Sequence, residues 1–305
     1  MKIFSLSVAL TGALVSPAVA CDLCSIYSAE QATGEMGRGF LAGVAQQYTH
    51  FGTLQDESQK VPGNGEYIDS SVTQLFLGYN VNNRFSLQFN VPIIYRAYGS
   101  ATTHKTVSGI GDVSLIGNVV AYRKLKEDFT FSWSVLGGVK FPTGNPNHLL
   151  DPDSSLPDGI GGHDIALGSG SYDVLIGTSV YSRWKRTFAS ANLQYAIRSQ
   201  GAFGHQYAND LTWSGGPGVY LALTHSYTLA LQAAISGETK GKDTFSGVPD
   251  NDSAETIVYA GPQLNFTWSN KLSAQVDVGL PVSIYNSGLQ VVSDYRVRAA
   301  VTWRF

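Results

Sequence analysis

The C-terminal stretch "YRVRAAVTWRF", residues 295–305, alternates between two kinds of side chain. Its odd positions run through Tyr295, Val297 and Val301 to Phe305, whereas three of its even positions are arginine. Alternation with a period of two residues is typical of a β-strand whose two faces meet different environments. The stretch therefore predicts a strand with one apolar face. Whether that face meets a protein core or lipid has to be decided from the rest of the chain.

The same alternation recurs along the chain in about twelve segments. Tight connections such as "VNN" and "KR" alternate with longer ones that are rich in Gly, Asp, Asn, Ser and Pro. Short turns at one end and long loops at the other are typical of outer-membrane barrels. The segments are 38–53, 67–80, 84–98, 110–123, 128–142, 170–184, 187–200, 208–223, 226–239, 255–268, 271–285 and 290–305.

Aromatic residues are concentrated at both ends of these segments, as they are at the two interfaces of a bilayer. Beside the short turns lie Tyr79, Phe85, Tyr122, Phe129, Trp184, Phe188, Tyr227, Trp268, Trp303 and Phe305. Beside the long loops lie Tyr48, Phe51, Tyr67, Tyr95, Tyr98, Phe141, Tyr172 and Tyr285. A soluble β-sandwich has no reason to sort its aromatic residues in this way.

Composition narrows the class of protein further. Only 14% of residues are charged, while the chain has 33 glycines and 16 tyrosines. A net charge of -3 argues against a nucleic-acid partner, which would need a basic surface. Strands that face lipid must pair every backbone group, which forces a sheet to close. We therefore predict an all-β fold: a transmembrane antiparallel up-and-down β-barrel of about 12 strands at 38–305, with short periplasmic turns, long extracellular loops and outer-membrane lipid around it.

The first 20 residues have the pattern of a secretory signal peptide. Lys2 precedes the apolar stretch "IFSLSVALTGALV", and "AVA" at 18–20 fits the small-x-small cleavage rule. The apolar stretch is shorter than the roughly 20 residues that a transmembrane helix needs. We expect cleavage near Ala20 and export to the outer membrane of a Gram-negative bacterium. Residues 21–37 would then form a periplasmic N-terminal segment that either plugs the barrel or docks a partner.

That segment holds the only two cysteines of the chain, Cys21 and Cys24. In an oxidising periplasm this C-x-x-C pair is a candidate for a disulfide, for a redox pair or for two ligands of a shared metal. Ser25 stands where attachment of a c-type haem requires histidine. Lipidation of Cys21 is a further alternative, although Ala18 stands where lipoprotein signals favour leucine.

The predicted inward face carries charges of both signs. These residues either line a narrow polar path or form a structural ladder of ion pairs across the interior. Asp112 in "GIGDV" and Asp173 in "GSYDV" hold matching places at strand starts, which favours a shared role at the outer mouth. The lumen-lining candidates are Arg96, Asp112, Lys140, Asp173, Arg198, Asp277, Arg296 and Arg298.

The longest loop, 143–169, is acidic and contains two histidines. Alternating oxygen donors can hold calcium, but "DPDSSLPDG" lacks the spacing of a calcium-binding helix-loop-helix site. A loop of this length is also a candidate to fold into the mouth and narrow it. The sequence contains no HExxH or GxSxG motif, so we predict no enzyme activity and no cofactor. The weak candidates for a loop cation are Asp151, Asp153, Asp158 and Asp164.

Several stretches resemble the outer-membrane family named for the MetA pathway of phenol degradation. They are "QFNVPIIY" (88–95), "GIGDVSL" (109–115), "KFPTGNP" (140–146) and "LGSGSYDVLIGTSV" (167–180), together with the terminal Phe305. The resemblance covers about 38–305 and implies a barrel that moves small, often hydrophobic or aromatic compounds. It supplies no assigned site residues, and the paired cysteines depart from the family pattern.

These observations lead to two predictions of function. The first is an outer-membrane channel or transporter for small, hydrophobic or aromatic compounds. The alternative is an outer-membrane scaffold whose Cys21 and Cys24 segment docks a periplasmic metal or redox partner.

Overall fold

The computed structural model describes residues 38–305 with the exception of Asn270. Within that part of the chain, twelve long strands form one antiparallel sheet in which neighbours in space are neighbours in sequence. They are β1 (Gly39–Asp56), β2 (Tyr67–Asn80), β3 (Phe85–Ser100), β4 (Ser114–Lys126), β5 (Phe129–Lys140), β6 (Asp173–Trp184), β7 (Thr187–Ile197), β8 (Asp210–Leu223), β9 (Tyr227–Lys240), β10 (Glu255–Trp268), β11 (Leu272–Asn286) and β12 (Leu289–Arg304).

The sheet closes on itself. Strand β12 pairs with β1 from Leu41↔Arg304 at one end to Asp56↔Leu289 at the other. Closure satisfies the backbone groups of both terminal strands, as a lipid environment requires. The predicted twelve-stranded up-and-down barrel is confirmed. We call the end with the short turns the turn end, and the opposite end the loop end.

The two faces of the wall are inverted relative to a soluble protein. On β3, Leu87 and Phe89 point outwards, and Phe89 is 43% exposed. The intervening Gln88 and Asn90 point inwards and are buried. Exposed apolar and buried polar side chains suit a barrel whose outer surface is covered by lipid.

Exposed aromatic side chains mark both ends of the outer surface. At the turn end they include Tyr79, Trp184 and Trp268, and at the loop end Tyr95 and Tyr285. Some aromatic residues that the sequence places in these bands lie inside the barrel instead. Phe51 packs against the apolar cluster that contains Leu54. Phe188 and Tyr98 are 7% and 4% exposed. Both share strand parity with inward polar residues, and parity decides the direction of a strand side chain.

The loops contain short elements of their own. The predicted loop at 99–109 holds the strand Thr103–Ile110, which pairs with residues 93–100 of the same hairpin, from Ser100↔Thr103 to Ile93↔Ile110. The hairpin satisfies backbone groups that a loop would leave to water. No helix in the described part of the chain is long and apolar enough to cross a bilayer. The other short elements are the strands Gln59–Lys60, His205–Gln206, Thr244–Phe245 and Val248–Pro249, the 3₁₀ turns Asn147–Leu150, Asp153–Ser155 and Ala202–Gly204, and the helical turn Gly162–Ile165.

Candidate functional site

The long loop between β5 and β6 folds into the loop end of the barrel. The backbones of Gly144 and Gly168 lie against each other and close the base of the loop. Ile160 and Ile165 pack in one apolar cluster with Leu54 of β1, on the far side of the barrel. We call residues 144–168 the plug loop, since they close the mouth from wall to wall.

Hydrogen bonds fix the plug loop to two sides of the wall. On β3, the Arg96 guanidinium donates to the carbonyl oxygens of Asp164 and Ala166, the second at 3.1 Å. On β12, the backbone N–H of Val291 donates to the carbonyl of Gly159 at 3.0 Å. Arg96 does lie inside the barrel, but its charged group holds the plug loop rather than facing an open passage.

Beneath the base of the plug loop, five buried charged side chains form one network. The Lys140 ammonium lies 2.5 Å from Asp112 and 2.9 Å from Asp173. Arg198 bridges Asp173 at 2.7 Å and Asp210 at 2.5 Å. Each of the five is at most 7% exposed, and Asp173 is fully buried. The network ties the loop ends of β5, β6, β7 and β8 together.

The network brings together four of the residues that the sequence singles out, and Asp112 and Asp173 share Lys140 as a partner. Asp210, the fifth member, is absent from the sequence candidates. It begins β8, a strand whose glycines weaken the alternation that would have revealed its direction. Whether the network also lines a path for a solute stays a prediction.

The three remaining candidates lie apart from that network, on β11 and β12. Arg298 forms an ion pair with Asp277, with Nε 3.0 Å from the carboxylate. Arg296 donates to the Ser236 hydroxyl at 2.7 Å, and its guanidinium carbon lies 3.9 Å from the centre of the Tyr259 ring. Arg298 is therefore held by the adjacent strand β11, and Arg296 by side chains of β9 and β10.

A cavity of about 770 Å³ occupies the turn-end half of the barrel. Three rings on adjacent strands form one of its walls: Phe188 lies 5.9 Å from Tyr181 and 5.2 Å from Tyr220, between ring centres. The hydroxyls of the two tyrosines are hydrogen-bonded at 2.6 Å. We call this cavity the vestibule. Sequence reasoning missed it because it grouped Phe188 with the membrane-facing aromatic residues.

The structure places three of the four acidic cation candidates of the plug loop. Among the described residues, no three His, Cys, Asp or Glu side chains are grouped to hold a metal ion. Asp151 lies 2.7 Å from His148, Asp164 accepts from the backbone N–H of Gly161, and Asp158 is exposed. The side chain of Asp153 lies outside the described part of the chain, as do Cys21 and Cys24 with the whole segment 1–37.

Two histidines from different loops stack beside the plug loop. The rings of His163 and His205 are 6.4 Å apart. His163 lies 3.3 Å from Asp164 and 3.9 Å from Asp250, while His205 lies 3.8 Å from Asp243. Three loops of the loop end therefore meet at this cluster, which also includes the Lys240 ammonium, 2.9 Å from Asp243.

The two histidines have opposite pKa shifts. Burial opposes the charged form of His163, but its neighbouring aspartates, Asp164 first, outweigh burial and Lys240 and raise the pKa. Burial lowers the pKa of His205 to about 4, with His163 and Lys240 adding to the shift and Asp243 opposing it. The closed loops therefore favour a charged His163 beside a neutral His205.

These shifts predict that the loop end is held most firmly near pH 6.5. The His205 contribution is complete above its unfolded value of about 6.5 and is lost as the pH falls towards 4. The His163 contribution is complete below about 6.5 and is lost as the pH rises through its raised pKa. Current fluctuations of the barrel in planar bilayers should be least frequent near pH 6.5 and increase on both sides.

Two substitutions separate the acidic part of this pH dependence from the alkaline part. His205→Gln should abolish the increase at acidic pH, and His163→Gln should abolish the increase at alkaline pH. A parent protein whose fluctuations change in only one direction across this range would contradict the assignment of opposite roles.

Three comparisons place the chain among known proteins. A family model described as "Putative MetA-pathway of phenol degradation" matches residues 29–288. The crystal structure of an outer membrane channel from Pseudomonas putida F1 superposes with a TM-score of 0.62 at 17% identity, covering 89% of this chain and 97% of that one. No curated protein sequence matches the chain.

Two further solved barrels are more distant. The beta domain of the Bordetella autotransporter Brka gives a TM-score of 0.49 at 9% identity, covering 88% of this chain and 100% of that one. The CymD monoaromatic hydrocarbon channel gives 0.41 at 7% identity, with coverages of 88% and 89%. At these identities the superpositions concern the fold alone, and of these three structures the Pseudomonas channel is similar enough to support it.

Proposed function

The chain belongs to the family of the MetA pathway of phenol degradation, and from that premise we propose that it is an outer-membrane channel through which small hydrophobic or aromatic compounds cross passively. The vestibule is the observation that carries the proposal. Its volume of about 770 Å³ lies within the range of roughly 300–1,000 Å³ that is usual for small-molecule sites. A barrel that served only as a membrane scaffold would have no need of this space.

The chemistry of the vestibule supports an amphipathic or aromatic solute. Tyr181, Phe188 and Tyr220 offer ring faces, and polar side chains such as Ser132 and Gln232 offer hydrogen bonds between them. The plug loop closes the opposite end, so passage requires that it moves. In the predicted orientation the vestibule opens towards the periplasm and the plug loop faces the outside.

Filling the vestibule should slow uptake. Ser132 and Ser190 point inwards and flank Tyr181 on either side in the strand register. Replacing both by Trp places two large rings in the lumen. We expect entry of the apolar probe N-phenyl-1-naphthylamine into intact cells that express the barrel to fall several-fold, measured by its fluorescence.

The matched control places the same two rings on the lipid side. Ser182 of β6 and Ala189 of β7 are paired close to these positions and point outwards. Ser182→Trp with Ala189→Trp adds the same mass at the turn-end interface, where Trp is favoured, and should leave uptake unchanged. A folded Ser132→Trp, Ser190→Trp variant that admits the probe as fast as the parent would overturn the channel proposal.

A further inference from the structure

The charges that line the vestibule are unevenly distributed. Among the described residues, four arginines line it, namely Arg123, Arg183, Arg298 and Arg304, against one acidic residue, Glu127, which is exposed in a turn. Asp277 neutralises Arg298. The vestibule therefore carries a positive potential, and arginine keeps its charge at any physiological pH.

Two of these arginines have no carboxylate partner among the described residues. Arg183 donates to the carbonyls of Lys185 and Glu127 and to the Thr130 hydroxyl, at 2.9, 3.1 and 3.3 Å. The side chain of Arg123 makes no hydrogen bond or ion pair within the described chain, although the residue is partly buried. This contrasts with the loop end, where each buried cation of the network faces an aspartate.

The strand register places these cations beside the aromatic wall. Ser132 pairs with Arg123 on one side and with Tyr181 on the other, so Arg123 and Tyr181 lie in one row, two strands apart. Adjacent strands are about 4.8 Å apart, so the backbones of Arg123 and Tyr181 are about 10 Å apart and both side chains border the same part of the vestibule. Arg183 follows Tyr181 by two residues and shares its inward face.

We propose that the vestibule binds a small aromatic carboxylate, with its ring on the wall of Tyr181, Phe188 and Tyr220 and its carboxylate at Arg123 and Arg183. Planar guanidinium groups match carboxylates in geometry and form charge-assisted hydrogen bonds with them. Ring faces accept an aromatic group in stacked or edge-on contacts. An aromatic cation is disfavoured because it meets the same guanidinium charges. The assignment rests on the proposed channel function and names the solute class for which the vestibule is suited.

The test compares benzoate with benzamide, which has nearly the same shape and no charge. Each is titrated by calorimetry into the full-length barrel in non-ionic detergent, with empty micelles as the blank. We expect benzoate to bind at least about tenfold more tightly than benzamide, as one or more charge-assisted hydrogen bonds imply. The preference should shrink as sodium chloride is added, because salt screens an open site.

Substitutions assign the effect to the vestibule. Arg123→Gln should weaken benzoate binding about tenfold and leave benzamide unchanged, since Gln keeps a polar side chain and loses the charge. Lys124→Gln is the matched control: it removes a neighbouring cation that is exposed and does not line the vestibule. Arg183→Gln provides a second charge removal on the adjacent hairpin.

The proposal is overturned if benzoate and benzamide bind equally, if neither binds, or if the benzoate preference survives both arginine substitutions. These outcomes are separable from failure of the channel itself. A barrel that admits N-phenyl-1-naphthylamine and responds to the inward tryptophans, yet shows no benzoate preference, keeps its channel function and loses this solute class.

Discussion

Replacing residues 145–167 with a two-residue link should convert a closed barrel into one that conducts ions in discrete, long-lived steps. The backbones of Gly144 and Gly168 already lie in contact, so a short link can join them without straining β5 or β6. The deletion removes Ile160 and Ile165, which pack against Leu54 and close the loop end. Without them, a twelve-stranded lumen is open at that end apart from the wall side chains.

The measurement is single-channel conductance in planar bilayers, with two comparisons. Replacing residues 152–155 by Gly-Ser-Gly-Ser changes only the tip of the same loop, where Pro152 and Ser154 are exposed. This variant should stay closed and show no conductance steps. Deleting residues 22–36 tests the N-terminal segment, which we predict either plugs the barrel or docks a partner. A closed 145–167 variant beside an open 22–36 variant would assign the obstruction to the N-terminal segment instead.

The alternation of side chains was sufficient to predict the barrel. In a lipid-facing strand every second side chain must be apolar over the full thickness of the membrane, so the pattern in residues 295–305 is long and unbroken. The order and direction of the strands then follow from the turn lengths. Closure between β1 and β12 follows because neither strand can leave an edge in lipid.

The sequence also indicates that Phe188 and Tyr98 point into the barrel. Phe188 has the parity of Ser190 and Gln194 on β7, and Tyr98 has the parity of Arg96 on β3. Proximity to a turn or loop assigns these two residues to the aromatic bands, whereas their parity places them in the lumen, where Phe188 forms part of the vestibule wall. Parity is the stronger rule, because a strand side chain cannot change faces without a bulge.

The pairing of the inward charges could not be predicted in the same way. Alternation gives the face on which Lys140, Asp173 and Arg198 lie, but not the height at which each meets its neighbour. That height depends on the register between adjacent strands, which short turns fix at one end of the barrel and irregular loops obscure at the other. The contact between Asp112 and Lys140 is still harder to predict, because Asp112 lies in a connection outside the strands.

The two ends of the lumen therefore use charge differently. At the loop end, Lys140 and Arg198 are neutralised by three buried aspartates, an arrangement that fixes the wall. At the turn end, Arg123 and Arg183 face a cavity in which no described carboxylate pairs with them. A charge-paired mouth beneath the plug loop and an electropositive vestibule are consistent with a passage that selects its solute at the turn end.

Arg198→Gln should be the most destabilising single substitution within the network, with a loss of about 3–5 kcal/mol in the free energy of unfolding. Arg198 is the one cation that Asp210 contacts in the network, and it also faces Asp173; these carboxylates are 1% and 0% exposed. Removing the guanidinium leaves buried negative charge without compensation, which costs far more than the loss of an exposed ion pair. Urea unfolding from phospholipid vesicles, followed by tryptophan fluorescence, measures the change.

A double-mutant cycle distinguishes lost charge compensation from a general packing defect. Arg198→Gln leaves the Asp210 carboxylate without its cation, and Asp210→Asn removes that carboxylate. The double variant should therefore be more stable than the sum of the single losses implies, by about 0.5–3 kcal/mol. Arg84→Gln, the same exchange at an exposed turn residue, should change the stability by less than about 0.5 kcal/mol. Additive losses in the cycle would mean that the network acts through packing alone, because compensation between opposite charges requires that the second removal relieves the first.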